Sequence, residues 1–186
     1  MHAPAAGRQN RIMARFGIQD YEPDWLNGRD SITAAHGRRL AALTGRTLQH
    51  VWLVWDLDVD RWFEDAPVLL DFGDARVGID HQKFDDLCIT WNTVDPSRMI
   101  EEPSDEDPFN LAWRPEPTPQ LAELAGRTLN RVALLEWSGA DDDMANGSVA
   151  IGLDLGSTWL TIYNALDENG LALGPPDSSY RQHYLT

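Results

Sequence analysis

Apolar and polar residues alternate through "TLQHVWLVW", so Val51 and Leu53 point one way while His50 and Trp52 point the other. The same alternation returns in "TLNRVALLEW", where Val132 and Leu134 oppose Arg131 and Ala133. Period two over this length predicts strands at Thr47–Trp55 and Thr128–Trp137, with the Val/Leu side toward the core. A short helical turn precedes each strand, Arg39–Thr44 and Gln120–Ala125. Each turn stops at a glycine, Gly45 or Gly126, which takes the left-handed conformation without steric cost. Downstream, "LDFGDARVGI" (70–79) and "LDLGSTWLTI" (153–162) read as hairpins turning at Gly73-Asp74 and Gly156-Ser157. Short apolar strands follow at "LCI" (87–89) and "LAL" (171–173), each after an acidic pair, Asp85-Asp86 and Asp167-Glu168.

The correspondence extends to identity. "LAALTGRTLQHVWL" from Leu40 and "LAELAGRTLNRVAL" from Leu121 agree at nine of fourteen positions, which defines a unit occurring as 40–97 and 121–178. Four short strands make a marginal domain with unpaired edges, so one copy has reason to close its core on the other. The expected fold is α+β, mainly β. It consists of two tandem repeats, each a short helix and about four antiparallel strands, packed as a pseudo-symmetric sheet or sandwich.

The remaining segments frame these units. Residues 1–30 read as a partly flexible N-terminal arm, and Met13 is a second candidate start. Residues 31–97 form the first repeat, 121–178 the second, and 179–186 an irregular tail. In 31–44, "SITAAHGRRLAALT", Ser31 is a candidate N-cap and Gly37 a point of interruption. Residues 98–120 hold five Pro and six acids and read as an acidic, extended linker, because Pro donates no ladder hydrogen bond.

Charge narrows the range of partners. Thirty acidic residues against fifteen basic ones give a net charge of -15, a field that repels nucleic acid and anionic membranes and attracts basic proteins. Residues 40–97 carry eleven acids and four bases, residues 121–178 nine and two, whereas residues 1–39 are slightly basic. Cys88 is the only cysteine, so no internal disulfide forms, and a cytoplasmic location is expected. No run of about 20 apolar residues is present to span a membrane.

The candidate chemistries fall short one by one. "DLDVD" (Asp56, Asp58, Asp60) opens like a calcium loop. Arg61 and Pro67 then stand where that loop needs Gly and a bidentate Glu, so neither a metal nor a cofactor is expected. His81, Asp85 and Cys88 lie close enough to suggest a thiol nucleophile with a base. Yet "LCITW" reads as a buried strand in which Cys88 is an inert small hydrophobe. No catalytic set is assigned.

The first repeat does carry a distinctive surface, "VWLVWDLDVDRWFEDAP", against "VALLEWSGADDDMANGS" in the second. Aromatic anchors rimmed by acids suit a partner rich in Arg or Lys. The expected interface is therefore Trp52, Asp56, Asp58, Asp60, Trp62, Glu64 and Asp65. Trp52 leads it, since Ala133 is its counterpart. Lys83, Phe84, Trp91 and Asn92 lie in the neighbouring stretches. The functional expectation is a non-catalytic acidic protein that binds a basic protein, such as a toxin, in the manner of an immunity or antitoxin protein. The alternatives are a small hydrolase-like enzyme with a site between the repeats, or a scaffold module.

Overall fold

The computed structural model describes residues 16–101 and 110–186. The first sheet comprises β1 (Trp25–Asn27), β2 (His50–Asp56), β3 (Arg61–Trp62), β4 (Val68–Asp71), β5 (Arg76–Gln82), β6 (Asp86–Trp91) and β7 (Leu111–Pro115). Its order is β1-β6-β5-β4-β2, with β3 and β7 both paired to β2. The second sheet comprises β8 (Arg131–Trp137), β9 (Val149–Asp154), β10 (Trp159–Asn164), β11 (Asn169–Leu173) and β12 (Tyr180–Tyr184), in the order β11-β10-β9-β8-β12. Every pairing is antiparallel. Two short helices, α1 (Arg29–Ala41) and α2 (Pro119–Ala122), precede β2 and β8. The protein is thus mainly β with two antiparallel sheets. No helix among the described residues is long and apolar enough to cross a membrane.

Alternation along the strands decides what is buried. Val51, Leu53, Leu70 and Ile79 of the first sheet join Val132, Leu134, Ile151, Leu160 and Ile162 of the second in one buried cluster. Each such side chain contributes roughly 1.5–3 kcal/mol by leaving water. Both hairpins turn on a glycine at positive φ. Phe72 N donates to Ala75 O at 2.8 Å across Gly73 (φ 89), and Leu155 N donates to Thr158 O at 2.9 Å across Gly156 (φ 85). Where the chain enters β2 and β8 the two segments bond to each other. Gly45 N donates to Leu129 O (2.7 Å), Gly126 N to Leu48 O (2.8 Å), Leu48 N to Arg127 O (2.9 Å) and Leu129 N to Arg46 O (2.8 Å), around a bridge between Thr47 and Thr128.

The outer face of the first sheet is covered as well. Ile18 and Tyr21 pack with Val54, Leu69, Cys88, Val94 and Leu111 in a second buried cluster. Residues 16–30, part of the segment assigned to an arm, therefore lay apolar side chains on the sheet, add β1 to β6 and begin α1. Residues 1–15 lie outside the described residues, as do 102–109 of the proline-rich segment.

Three local expectations change. α1 runs unbroken through Gly37, because that glycine is buried and helix propensity is a weak bias beside packing. Its N-cap is Gly28 rather than Ser31, whose hydroxyl instead donates to Gly28 O at 3.0 Å. Strands form inside both the expected linker (β7, on β2) and the expected irregular tail (β12, on β8). Both lie beside a strand whose other edge is already paired, and backbone hydrogen bonds recruit them without apolar alternation. α2 is capped as its sequence suggests: Thr118 Oγ1 accepts from Leu121 N at 3.3 Å, and Pro119 occupies the first turn.

Candidate functional site

Antiparallel order brings one set of loops to a common end of both sheets, the end where β2, β5, β8 and β10 finish. Asp56 ends β2, Asp58 and Asp60 follow it, and Glu64 and Asp65 precede β4. Asp85 and Asp86 lie at the β5–β6 turn, Asp141, Asp142 and Asp143 follow β8, and Asp167 and Glu168 join β10 to β11. Arg61 and Lys83 are the only bases in these loops. At the other end, residues 42–49, 72–75, 92–95, 116–118, 123–130 and 155–158 carry Asp74, Asp95, Glu116 and Glu123 against Arg46 and Arg127. The negative charge is therefore polarised along the strand axis.

Cross-links hold the acidic end together. Lys83 N donates to Asp167 Oδ1, and Asn164 Nδ2 donates to Lys83 O at 2.7 Å, joining the β5–β6 and β10–β11 turns. Asn169 N and Nδ2 both donate to Glu64 O at 3.0 Å, and Nδ2 also donates to Ala66 O at 3.0 Å.

Beside these links opens a cleft of about 320 Å³, lined by Phe16, Pro23, Trp25, Asp65, Asp80, His81, Gln82 and Asp167. Its floor is a buried polar network. Asp80, only 2% exposed, accepts from Tyr21 OH on one carboxylate oxygen and from Asn169 Nδ2 (2.7 Å) on the other. His81 N donates to Asn169 Oδ1 at 2.9 Å. The His81 ring nitrogens lie 3.1 Å from that same oxygen and 3.3 Å from Val149 O. Burial without a cationic partner pushes the Asp80 carboxyl up to about 7, against the pull of its hydrogen bonds. Burial pushes His81 down to about 4. Burial, then the Glu64 and Asp167 charges, push Asp65 up.

This network does not assemble a nucleophile. Asp80 pairs with Cys88, and His81 with Leu87, across β5 and β6. Alternation then puts Cys88 in the outer cluster and His81 toward the second sheet, on opposite faces. Burial also raises the Cys88 thiol to about 12, and Asp85 stands exposed at the turn.

The residues expected at an interface divide into two groups. Asp58, Asp60 and Asp65 are exposed, and Asp56 and Glu64 half-exposed. Asp56 Oδ1 accepts from Asp58 N (2.9 Å) and Val59 N (3.3 Å), so it shapes its own loop. Asp58 Oδ1 accepts from Asn110 Nδ2 at 3.0 Å. Asp60 Oδ1 accepts from Trp55 Nε1 (2.9 Å) and Arg114 Nη1 (3.0 Å), and those donors hold its carboxyl below the usual range. Trp52 and Trp62 are half-buried. Trp52 packs on the outer cluster and Trp62 on the main core, and each keeps a buried, unpartnered indole N–H. Trp91 donates to His36 Nδ1 at 3.2 Å, beneath the Arg39 guanidinium.

Sequence reasoning missed Tyr21, Asp80 and Asn169. The one available signal was an acid inside the apolar run of β5, "VGIDH". Among the described residues, no group of three or more His, Cys, Asp or Glu is arranged to hold a metal ion. Comparison with models of protein families, with curated proteins and with solved structures returns no match.

Proposed function

We propose that this chain is a non-catalytic binding protein whose acidic end engages a basic protein, in the manner of a cytoplasmic immunity or antitoxin protein. One observation carries the reading: the loops and adjoining strand ends of both sheets at a single end hold twelve acids against two bases, while the loops of the opposite end hold four against two. Such a field speeds the encounter with a basic partner and aligns it before contact. Asp56, Asp58, Asp60, Glu64 and Asp65 belong to that end, and the half-buried Trp52 and Trp62 behind it complete the proposed contact set.

The reading includes the origin of the two sheets as copies of one unit. The nine identities in fourteen favour this, as do the matching strand orders β6-β5-β4-β2 and β11-β10-β9-β8. The reciprocal hydrogen bonds around Thr47 and Thr128 join corresponding residues of the two copies and favour it too.

The test is capture of native lysate proteins on immobilised chain at low and high salt. The wild type is compared with a variant carrying Asp85→Lys, Asp141→Lys and Glu168→Lys. These side chains form no hydrogen bond or ion pair within the described structure, so the fold tolerates their reversal, whereas Asp56 and Asp60 hold their loop. The expected result is a basic protein retained by the wild type at low salt, weakened by salt and lost from the variant. Equal retention by both, or retention of nothing basic, would refute the reading.

A further inference from the structure

Five of the eight exposed large apolar side chains among the described residues sit on the acidic loops: Leu57, Val59, Phe84, Met144 and Leu166. Scattered surface leucines need no explanation, but apolar residues gathered on one charged end are the composition of a recognition surface. Phe84 (52% exposed) and Leu166 (82% exposed) tip the two turns that Lys83, Asn164 and Asp167 bond together. Two strand spacings put the end of β2, with Leu57 and Val59, roughly 10 Å from the end of β5.

Leu166 is out of place for its backbone. Leu166 and Asp167 both have positive φ (63 and 83), the φ pair of a type I′ turn, and Ala165 N donates to Glu168 O at 2.8 Å across the loop. Such a turn favours Asn or Gly, and a bulky residue there is strained. A large apolar side chain held in this position, and exposed, breaks a local rule without a packing gain in the free protein.

We infer that Phe84 and Leu166 are the apolar anchors of the docking surface, seated by a basic partner that presents an apolar socket ringed by Arg and Lys. This rests on the proposed function and assigns its contacts. The carboxylates speed arrival, and the two tips, desolvated at the centre of the contact, slow departure. Charge complementarity selects the occupant, since Asp85, Asp167 and Glu168 flank the tips and would repel an acidic or nucleic-acid partner.

Two peptide probes of equal positive charge test the inference, one alternating Leu with Arg and the other Ser with Arg. The wild type should bind the Leu/Arg peptide at least about tenfold more tightly, one decade being worth about 1.4 kcal/mol. With Phe84→Ser and Leu166→Asn together the preference should fall below about twofold, with the melting temperature unchanged or raised, since Asn suits the turn. A variant that keeps the preference overturns the inference. If both peptides bind alike and only Asp85→Lys with Glu168→Lys weakens them, the anchors are refuted while the acidic binding protein stands. If neither peptide binds at low salt, the proposed function falls as well.

Discussion

Replacing Asp80 by Asn isolates the cost of a carboxylate held without a counter-charge. Asn preserves both hydrogen bonds: its amide oxygen accepts from Asn169 Nδ2, and its amide nitrogen donates to the Tyr21 oxygen. In the folded chain Asp80 titrates near 7 instead of near 4. A carboxyl raised in this way contributes stability below its unfolded pKa, and that contribution is lost as pH rises toward 7. Each pH unit between the two values corresponds to about 1.4 kcal/mol, so the loss is about 4 kcal/mol. His81 works in the opposite sense. Lowered to about 4, it contributes stability above its unfolded pKa of about 6.5 and loses about 3 kcal/mol as pH falls toward 4. The two slopes nearly cancel in the wild type. Urea unfolding followed by Trp fluorescence, at intervals from about pH 4 to about pH 8, measures both chains. The Asp80→Asn variant should gain about 4 kcal/mol on the wild type across that interval, because the titrating groups not coupled to Asp80 drop out of the difference. Its own curve should fall in acid, where the neutral His81 and His36 and the carboxyls held low lose their contributions. A difference flat to within about 1 kcal/mol would refute the uncompensated carboxylate.

Two further outcomes follow from the same packing. Cys88 is buried, with its thiol raised to about 12, so a thiol reagent near neutral pH should label the native chain far more slowly than the urea-unfolded chain; equal rates would show the outer cluster to be open. Gly156→Ala forces a Cβ into φ 85 and should cost about 1–2 kcal/mol by chemical denaturation; no loss would mean the β9–β10 turn changes type.

The inner faces of both sheets were legible in the sequence because burial on one side imposes period two. Val51 and Leu53, like Val132 and Leu134, announce which side is wet. β7 and β12 were not, since "LAWRP" and "YRQHY" are added along the outer side of β2 and β8, where backbone pairing does not demand an apolar rhythm. The acids were visible as residue types and as a repeated habit after each first strand. Their convergence was not, because it depends on which strand ends the topology brings together. Asp80 was hidden for a related reason. A lone acid in a strand looks solvent-facing until Tyr21, some sixty residues earlier, is laid over it.

The pairing of β7 also governs how the chain can be divided. β7 is covalently next to α2 and the second sheet, yet it pairs with five residues of β2. Cleavage between β7 and α2 leaves the first sheet complete, whereas cleavage ahead of β7 carries one of its strands away with the other fragment. Between two molecules the same arrangement allows reciprocal exchange, each chain lending its β7 to the other's β2, a swapped dimer that needs no new contact surface.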